Sequence, residues 1–296
     1  LPPSGSYGEG TQETRIQGDF LSSAHEFSIP CQLSCPPPLA SPLESSRLRV
    51  LGHLIPPQFW TGSARTTMAK PIFIQEADPR SLALRLLRDL ADHLEPEQWI
   101  CIPTGKSPEA FYEALVQDSS SAKLWRQLHF LQLDEYLAPP AGSMSFKATL
   151  RDQVFDPLGI ESNRVHSIDA AGQASTEIHR LSQLIDQYGP PRTAILGLGS
   201  NGHIAFNEPC DHPPSGYHTV DLSAETLKDN FVDPVPDSLQ AITIGLDLLR
   251  AIERIYLLVP QQKKSTILDR CLRAPYDPRI PGSCLHDHPQ LHIYRC

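Results

Sequence analysis

Thr193-Ala-Ile-Leu-Gly-Leu-Gly-Ser-Asn-Gly-His203-Ile-Ala-Phe-Asn-Glu-Pro209 decides how this chain is read. Thr193 to Leu196 is a short apolar run of strand character, and it enters a glycine-rich loop. Gly197, Gly199 and Gly202 match G-x-G-x-x-G, and Asp221 follows about twenty residues later, as in a dinucleotide-binding fingerprint. That fingerprint needs a long helix straight after the third glycine. Here Pro209, Pro213, Pro214 and Gly216 interrupt the stretch where the helix would lie. The glycines are therefore expected to shape a turn that aims His203 and Glu208, a proton-transfer pair, into a site. His203, Cys210 and His212 have no metal-ligand spacing.

Working outward, strands and helices alternate. Ile72 to Gln75, Trp99 to Pro103, Leu128 to Leu133, Ala241 to Ile244, Ile255 to Val259 and Leu291 to Tyr294 read as strands. Asp78-Pro79 reads as a helix cap with proline in the first turn, followed by leucines at helical spacing from Leu82 to Leu94. Pro108 to Val116, Phe146 to Phe155, Glu177 to Tyr188, Leu246 to Ile252 and Lys264 to Leu272 complete the helical segments. The pattern predicts an α/β fold: a doubly wound, mostly parallel sheet with helices on both faces. Ligands of such sheets lie beyond the C-terminal strand ends.

Three more strand ends carry chemistry. Thr104, Gly105, Lys106 and Ser107 lie between a strand and a helix and suit a phosphate, although a plain strand–helix turn fits them too. Isoleucine at position 100 excludes a Walker A loop. Asp134 and Glu135 follow a buried strand. An aspartate there, partly out of water, suits a general base, or it caps the next loop. Lys263 and Lys264 begin a helix, where one reaches an anion or both are solvated surface lysines.

Residues 1–67 differ from the rest. They contain no Met and no Lys, and Pro, Gly and Ser interrupt any period. They are expected to be a disordered or non-native leader, with translation starting at Met68, ahead of a single α/β domain over 68–296. Lys and Arg number 25 against 34 Asp and Glu, a formal charge of −9, which argues against a nucleic-acid partner. No apolar run approaches the roughly 18 residues of a membrane span. The seven cysteines read as reduced thiols, and the lone Cys31/Cys35 pair does not make a zinc site, so a cytoplasmic chain is expected.

Together, Pro103 to Pro108, Leu133 to Tyr136, Gly197 to Pro209, the lysine strand end and Ser283 to Pro289 resemble the glucosamine-6-phosphate deaminase/isomerase family, in the same order and over roughly residues 70–296. The related 6-phosphogluconolactonases share the fold and the Gly-His core but typically lack the Asn-Glu-Pro end. The resemblance implies a deaminase/isomerase that turns a 2-amino-sugar 6-phosphate into a ketose 6-phosphate and ammonia. Asp134 would be the C2 base, His203 would open the ring, and Glu208 would support it. Glu135 and Gly202 would line the substrate, and Thr104 to Ser107 with Lys264 would hold the phosphate. No metal or cofactor is implied, a small sugar phosphate is the partner, and a homo-oligomer is compatible.

Asn201 stands where the glucosamine enzymes usually have Asp. It is expected to hold the His203 tautomer without supplying charge, a pattern more similar to the galactosamine-6-phosphate branch. No arginine lies in Val220 to Asn230 to serve as a second phosphate cation, a role left to Lys106. A lactone hydrolase and a non-catalytic sugar-phosphate-binding domain are the rival functions.

Overall fold

The computed structural model describes residues 70–139, 145–232, 234–273 and 275–296. The expected leader at 1–67 lies outside the described residues. In chain order the elements are β1 (Ile72–Gln75), α1 (Pro79–Ala91), β2 (Trp99–Cys101), α2 (Glu109–Gln117), α3 (Ser119–Trp125), β3 (His129–Leu131), β4 (Asp134–Leu137), α4 (Phe146–Leu150), α5 (Asp156–Leu158), β5 (Val165–His166), α6 (Ala174–Tyr188), β6 (Thr193–Gly197), β7 (His218–Asp221), α7 (Ala224–Asn230), β8 (Gln240–Thr243), α8 (Leu246–Arg250), β9 (Arg254–Val259), α9 (Ser265–Leu272) and β10 (Leu291–Arg295).

Period-two burial builds the main sheet. Ala194 and Leu196 of β6 and Ile255, Leu257 and Val259 of β9 pack on one face, with Leu181, Leu249 and Leu268 from α6, α8 and α9. Their neighbours Ile195, Tyr256 and Leu258 face the other way, onto Leu82, Leu86 and Leu90 of α1 and Phe111 and Leu115 of α2. Both faces are thus buried, as a parallel sheet requires. At the start of α1, Asp78 accepts from the N–H groups of Arg80 and Ser81 ahead of that leucine stripe.

The seven strands run in the order β1-β10-β9-β6-β2-β3-β5, with every pairing parallel. This is the doubly wound, mostly parallel sheet that the alternation predicts. From β2 the chain builds outward through β3 to β5. It then returns to β6, beside β2, and builds the other way. The order therefore reverses between β2 and β6, and the loops after these two strands diverge at that switch point, where such sheets bind ligands.

One part of the organisation differs from the sequence reading. Asp134 and Glu135 do not end β3; they open β4, which belongs to a separate antiparallel sheet ordered β4-β8-β7. The segment expected as a further strand of the main sheet, Ala241 to Ile244, supplies the middle of this second sheet. Gln132 makes the transfer. Its backbone N–H still reaches the His166 carbonyl, while its side-chain amide donates to the Asp134 carbonyl at 2.7 Å and accepts from the Ile168 N–H at 2.9 Å. The ladder of one sheet is thus handed to the other without stranding buried backbone groups.

Candidate active site

The loop after β2 is held by its neighbours. The Tyr112 hydroxyl donates to the Pro103 carbonyl, and the buried Ser107 hydroxyl donates to Gln261 Oε1 at 3.2 Å. Gly105 has φ +84°, a left-handed conformation that suits glycine, and it is exposed beside Lys106. Gly197, at the end of β6, faces Ser107: a Cβ there would lie 3.8 Å from the serine side chain. The two loops of the switch point therefore meet at Ser107.

Lys264 precedes α9, and its ammonium donates to the Leu198 carbonyl at 2.5 Å. Burial lowers its pKa, Asp229 opposes the shift, and the charges of Lys263 and Lys106 add to it. Two N–H donors of the ammonium remain beyond the Leu198 bond. Lys264, Lys106 and the Thr104–Ser107 loop thus face one region, and a bound dianion would offset the mutual repulsion of the lysines.

Asp134 is buried, and neither of its carboxyl oxygens makes a protein hydrogen bond among the described residues. Burial, with the neighbouring Glu135 carboxylate as a smaller cause, pushes its pKa up to about 8. In the second sheet its register partner is Thr243, whose hydroxyl accepts from the Phe206 N–H at 3.0 Å. Asn207 donates to the carbonyls of Ile204 and Ile244. Thr243 and Asn207 fasten the His203 loop to the sheet that carries Asp134.

Glu135 departs from its expected place among the substrate contacts. It is 1% exposed, and its carboxylate accepts four N–H groups. The donors are the backbones of Tyr136 (3.0 Å), Phe146 (3.0 Å) and Lys147 (2.7 Å) and the Gln132 amide (3.1 Å). A carboxylate with its acceptor sites filled inside the protein is a scaffold group. It anchors the first turn of α4, whose free N–H groups and positive dipole end favour an anion.

The glycine loop seats His203. No helix follows Gly202 until α7, so the G-x-G-x-x-G run is a turn. A Cβ on Gly199 would lie 2.4 Å from Cε1, Nδ1 and Nε2 of His203 alike, so the imidazole lies flat against the Gly199 backbone. Gly202 has φ +90°, and a Cβ there would press on Ile280 at 3.0 Å and Ile267 at 3.2 Å. Gly202 accordingly shapes the loop from behind, and its carbonyl accepts from the Gly282 N–H at 2.7 Å.

Asn201 is also placed differently from expectation. Its Oδ1 accepts the backbone N–H of His203 at 3.0 Å, and its Nδ2 donates to Glu208 Oε2 at 2.7 Å. It ties Glu208 to the loop and does not touch the imidazole. The ring partner is Thr226, with Oγ1 3.1 Å from Nδ1. Ser223 caps α7, taking the Thr226 N–H at 3.2 Å, and its hydroxyl donates to Thr226 Oγ1 at 3.1 Å. Its own N–H donates to Glu208 Oε1 at 3.3 Å. Burial lowers the His203 pKa. Glu208, Asp229 and Glu225 act against that shift, and Lys264 acts with it. Neither Ser223 nor Thr226 was picked out from the sequence. The available signal was Ser-x-x-Thr at the start of a helix, which marks a cap and says nothing of a histidine twenty residues earlier.

Among the described residues no group of three or more His, Cys, Asp and Glu has the spacing to hold a metal ion, and no helix is long and apolar enough to cross a membrane. A largely neutral carboxyl, a seated imidazole and neighbouring lysines at the strand ends of a doubly wound sheet define an α/β protein with a proton-transfer and anion-binding site. The family model of glucosamine-6-phosphate isomerases/6-phosphogluconolactonase matches residues 76–293, and the chain belongs to that family. Among its relatives, the glucosamine-6-phosphate deaminase of Rhodopirellula baltica is 31% identical over 203 residues, covering 67% of this chain and 81% of that protein. The one from Staphylococcus saprophyticus is 32% identical over 200 residues, covering 65% and 83%. Among solved structures, a monomeric glucosamine-6-phosphate deaminase superposes with a TM-score of 0.69 at 26% identity, covering 76% of this chain and 96% of that one. The 6-phosphogluconolactonase of Leishmania guyanensis shares the fold, with a TM-score of 0.60 at 15% identity, covering 76% and 95%.

Proposed function

We propose that the chain is an aminosugar-6-phosphate deaminase/isomerase, taking glucosamine 6-phosphate or galactosamine 6-phosphate to the ketose 6-phosphate and ammonia. One observation carries this reading: the Asp134 carboxyl is out of water, bonded to no protein group among the described residues, and pushed up to about 8. Such a group is matched to removing a proton from carbon at near-neutral pH. Lactone hydrolysis, the chemistry of the rival reading, requires no such step.

In this mechanism Thr104 to Ser107, Lys106 and Lys264 hold the 6-phosphate, and the remote binding energy positions C2. His203 gives its Nε2 proton to the ring oxygen and takes the proton of the C1 hydroxyl in its place, opening the pyranose. Glu208 steadies the loop through Asn201 and Ser223. Asp134 then removes the C2 proton, α to the new aldehyde, giving an enolamine. Reprotonation at C1 leaves an imine at C2, and water hydrolyses it to the ketone and ammonia.

The test is ammonia release from both aminosugar phosphates, run beside hydrolysis of 6-phosphogluconolactone. Turnover of an aminosugar phosphate with an inert lactone supports the proposal. Lactone hydrolysis without ammonia release overturns it and leaves the hydrolase reading.

A further inference from the structure

We infer that Thr226 is the positioning residue for His203, an uncharged hydroxyl that fixes which ring nitrogen faces the substrate. The inference deepens the deaminase reading above and rests on it for its catalytic consequence. The polarity of the hydrogen bonds carries the argument. Ser223 Oγ accepts N–H groups from Thr226 at 3.2 Å and from Asn201 at 3.4 Å, so its own proton goes to Thr226 Oγ1. Thr226 Oγ1, fully buried, then has one lone pair filled and one left, with His203 Nδ1 3.1 Å away. Oγ1 also carries its own proton, which has no other acceptor among the described residues, so Thr226 donates it to Nδ1. The neutral imidazole is thereby held with Nδ1 accepting and Nε2 protonated, the form in which Nε2–H gives a proton first. The flat seat on Gly199 fixes the plane of the ring, and Thr226 fixes its rotation and its tautomer.

A carboxylate in this position would add charge and favour the imidazolium. A hydroxyl supplies direction without charge. The groups facing the ring are Glu208 on its own loop, Glu225 and Asp229 on α7, and Lys264 ahead of α9. None of them hydrogen-bonds Nδ1 among the described residues, so the tautomer depends on Thr226 alone.

The test compares Thr226→Val, which keeps the shape and removes the hydroxyl, with Thr226→Ser, which restores it. The ring nitrogens of His203 are followed by ¹⁵N spectroscopy on the full chain without substrate, and pH–rate profiles are recorded on an aminosugar phosphate. In Thr226→Val the neutral ring loses the hydroxyl that donates to Nδ1, and its proton is no longer held on Nε2. The tautomer therefore switches, and the ring pKa rises above that of the wild type because the neutral form has lost its hydrogen bond. Loss of a single neutral hydrogen bond lowers kcat about three- to thirtyfold while KM stays within about twofold. Thr226→Ser returns the Nε2–H signal and the rate. Ring shifts and a pH–rate profile of Thr226→Val that superimpose on the wild type overturn the inference, as does a folded Thr226→Ser that fails to restore Nε2–H. If the spectroscopic switch occurs but the wild-type chain releases no ammonia, Thr226 still positions His203 and the deaminase reading is what fails.

Discussion

Replacing Asp134 with Asn is expected to abolish turnover and, at the same time, to stabilise the fold increasingly as pH rises. The carboxyl moves from a pKa of 3.8 to about 8 on folding, chiefly through burial. A folded-state pKa above the unfolded one means that the stability from this group is complete below about pH 3.8 and is lost as pH climbs toward 8. Each unit is worth roughly 1.4 kcal/mol, so at pH 7 the native chain carries a strain on the order of 4 kcal/mol from Asp134. Asparagine is neutral at every pH and matches the shape of the protonated acid. The stability gap between variant and wild type should therefore widen by about 1.4 kcal/mol per pH unit between pH 5 and 7. Urea unfolding at several pH values measures it. The rate side has the opposite sign. At pH 7 about a tenth of the wild-type carboxyl is ionised, and at pH 6 about a hundredth, so wild-type kcat/KM should climb about tenfold per unit up to roughly pH 8. The variant should lose on the order of 10² to 10⁴ in kcat. A stability gap that stays flat from pH 5 to 7 refutes the buried, proton-holding carboxyl. Undiminished deuterium exchange at C2 in the variant refutes its role as base.

Three other substitutions test the scaffold. Gly199→Ala places a methyl where the His203 ring lies, 2.4 Å from three of its atoms, so the ring must swing off its seat. Activity should fall by about two orders of magnitude while the melting temperature drops only a few degrees, since the displaced ring has solvent to enter. Glu135→Gln replaces one acceptor oxygen with a donor facing backbone N–H groups, so denaturant unfolding should show a loss of about 1–3 kcal/mol. Asn201→Asp sets a second carboxylate 2.7 Å from Glu208 Oε2 in place of an amide donor. Its stability loss should be largest near neutral pH and fade as pH falls through the carboxylate range, and a uniform loss at all pH values would place Asn201 elsewhere.

The sequence makes the parallel sheet legible because each buried strand is a short apolar run and each helix repeats its leucines. Asp78-Pro79 marks the start of α1 to the residue. The loops after β2 and β6 were found because glycine and a small polar cluster directly after an apolar strand have few other uses. The second sheet was hidden for a physical reason. Asp134-Glu-Tyr-Leu137 has two charges in four residues, and its stability comes from β8 and β7, roughly a hundred residues later in the chain. Glu135 read as half of an acidic pair because its donors at Phe146 and Lys147 come from backbone, which every residue offers and no sequence pattern advertises. The resemblance placed Asn201 on the imidazole, because it stands where the glucosamine enzymes usually have Asp. In three dimensions the side chain turns toward Glu208, and a threonine in another element fills the place beside the ring.

The position of β10 bears on how the chain is born. The last strand is an interior strand, lying between β1 and β9, and Gln75 pairs with Arg295, 220 positions apart. On the ribosome, at about 5–20 residues per second, β1 waits roughly ten to forty-five seconds before β10, its strand neighbour among the described residues, is made. Until then the centre of the sheet from β5 to β9 can assemble, but β1 and its exposed Ile72 and Phe73 cannot join it. Loss of β10 would leave β1 without its partner among the described residues, so these two strands join the sheet in a single late step.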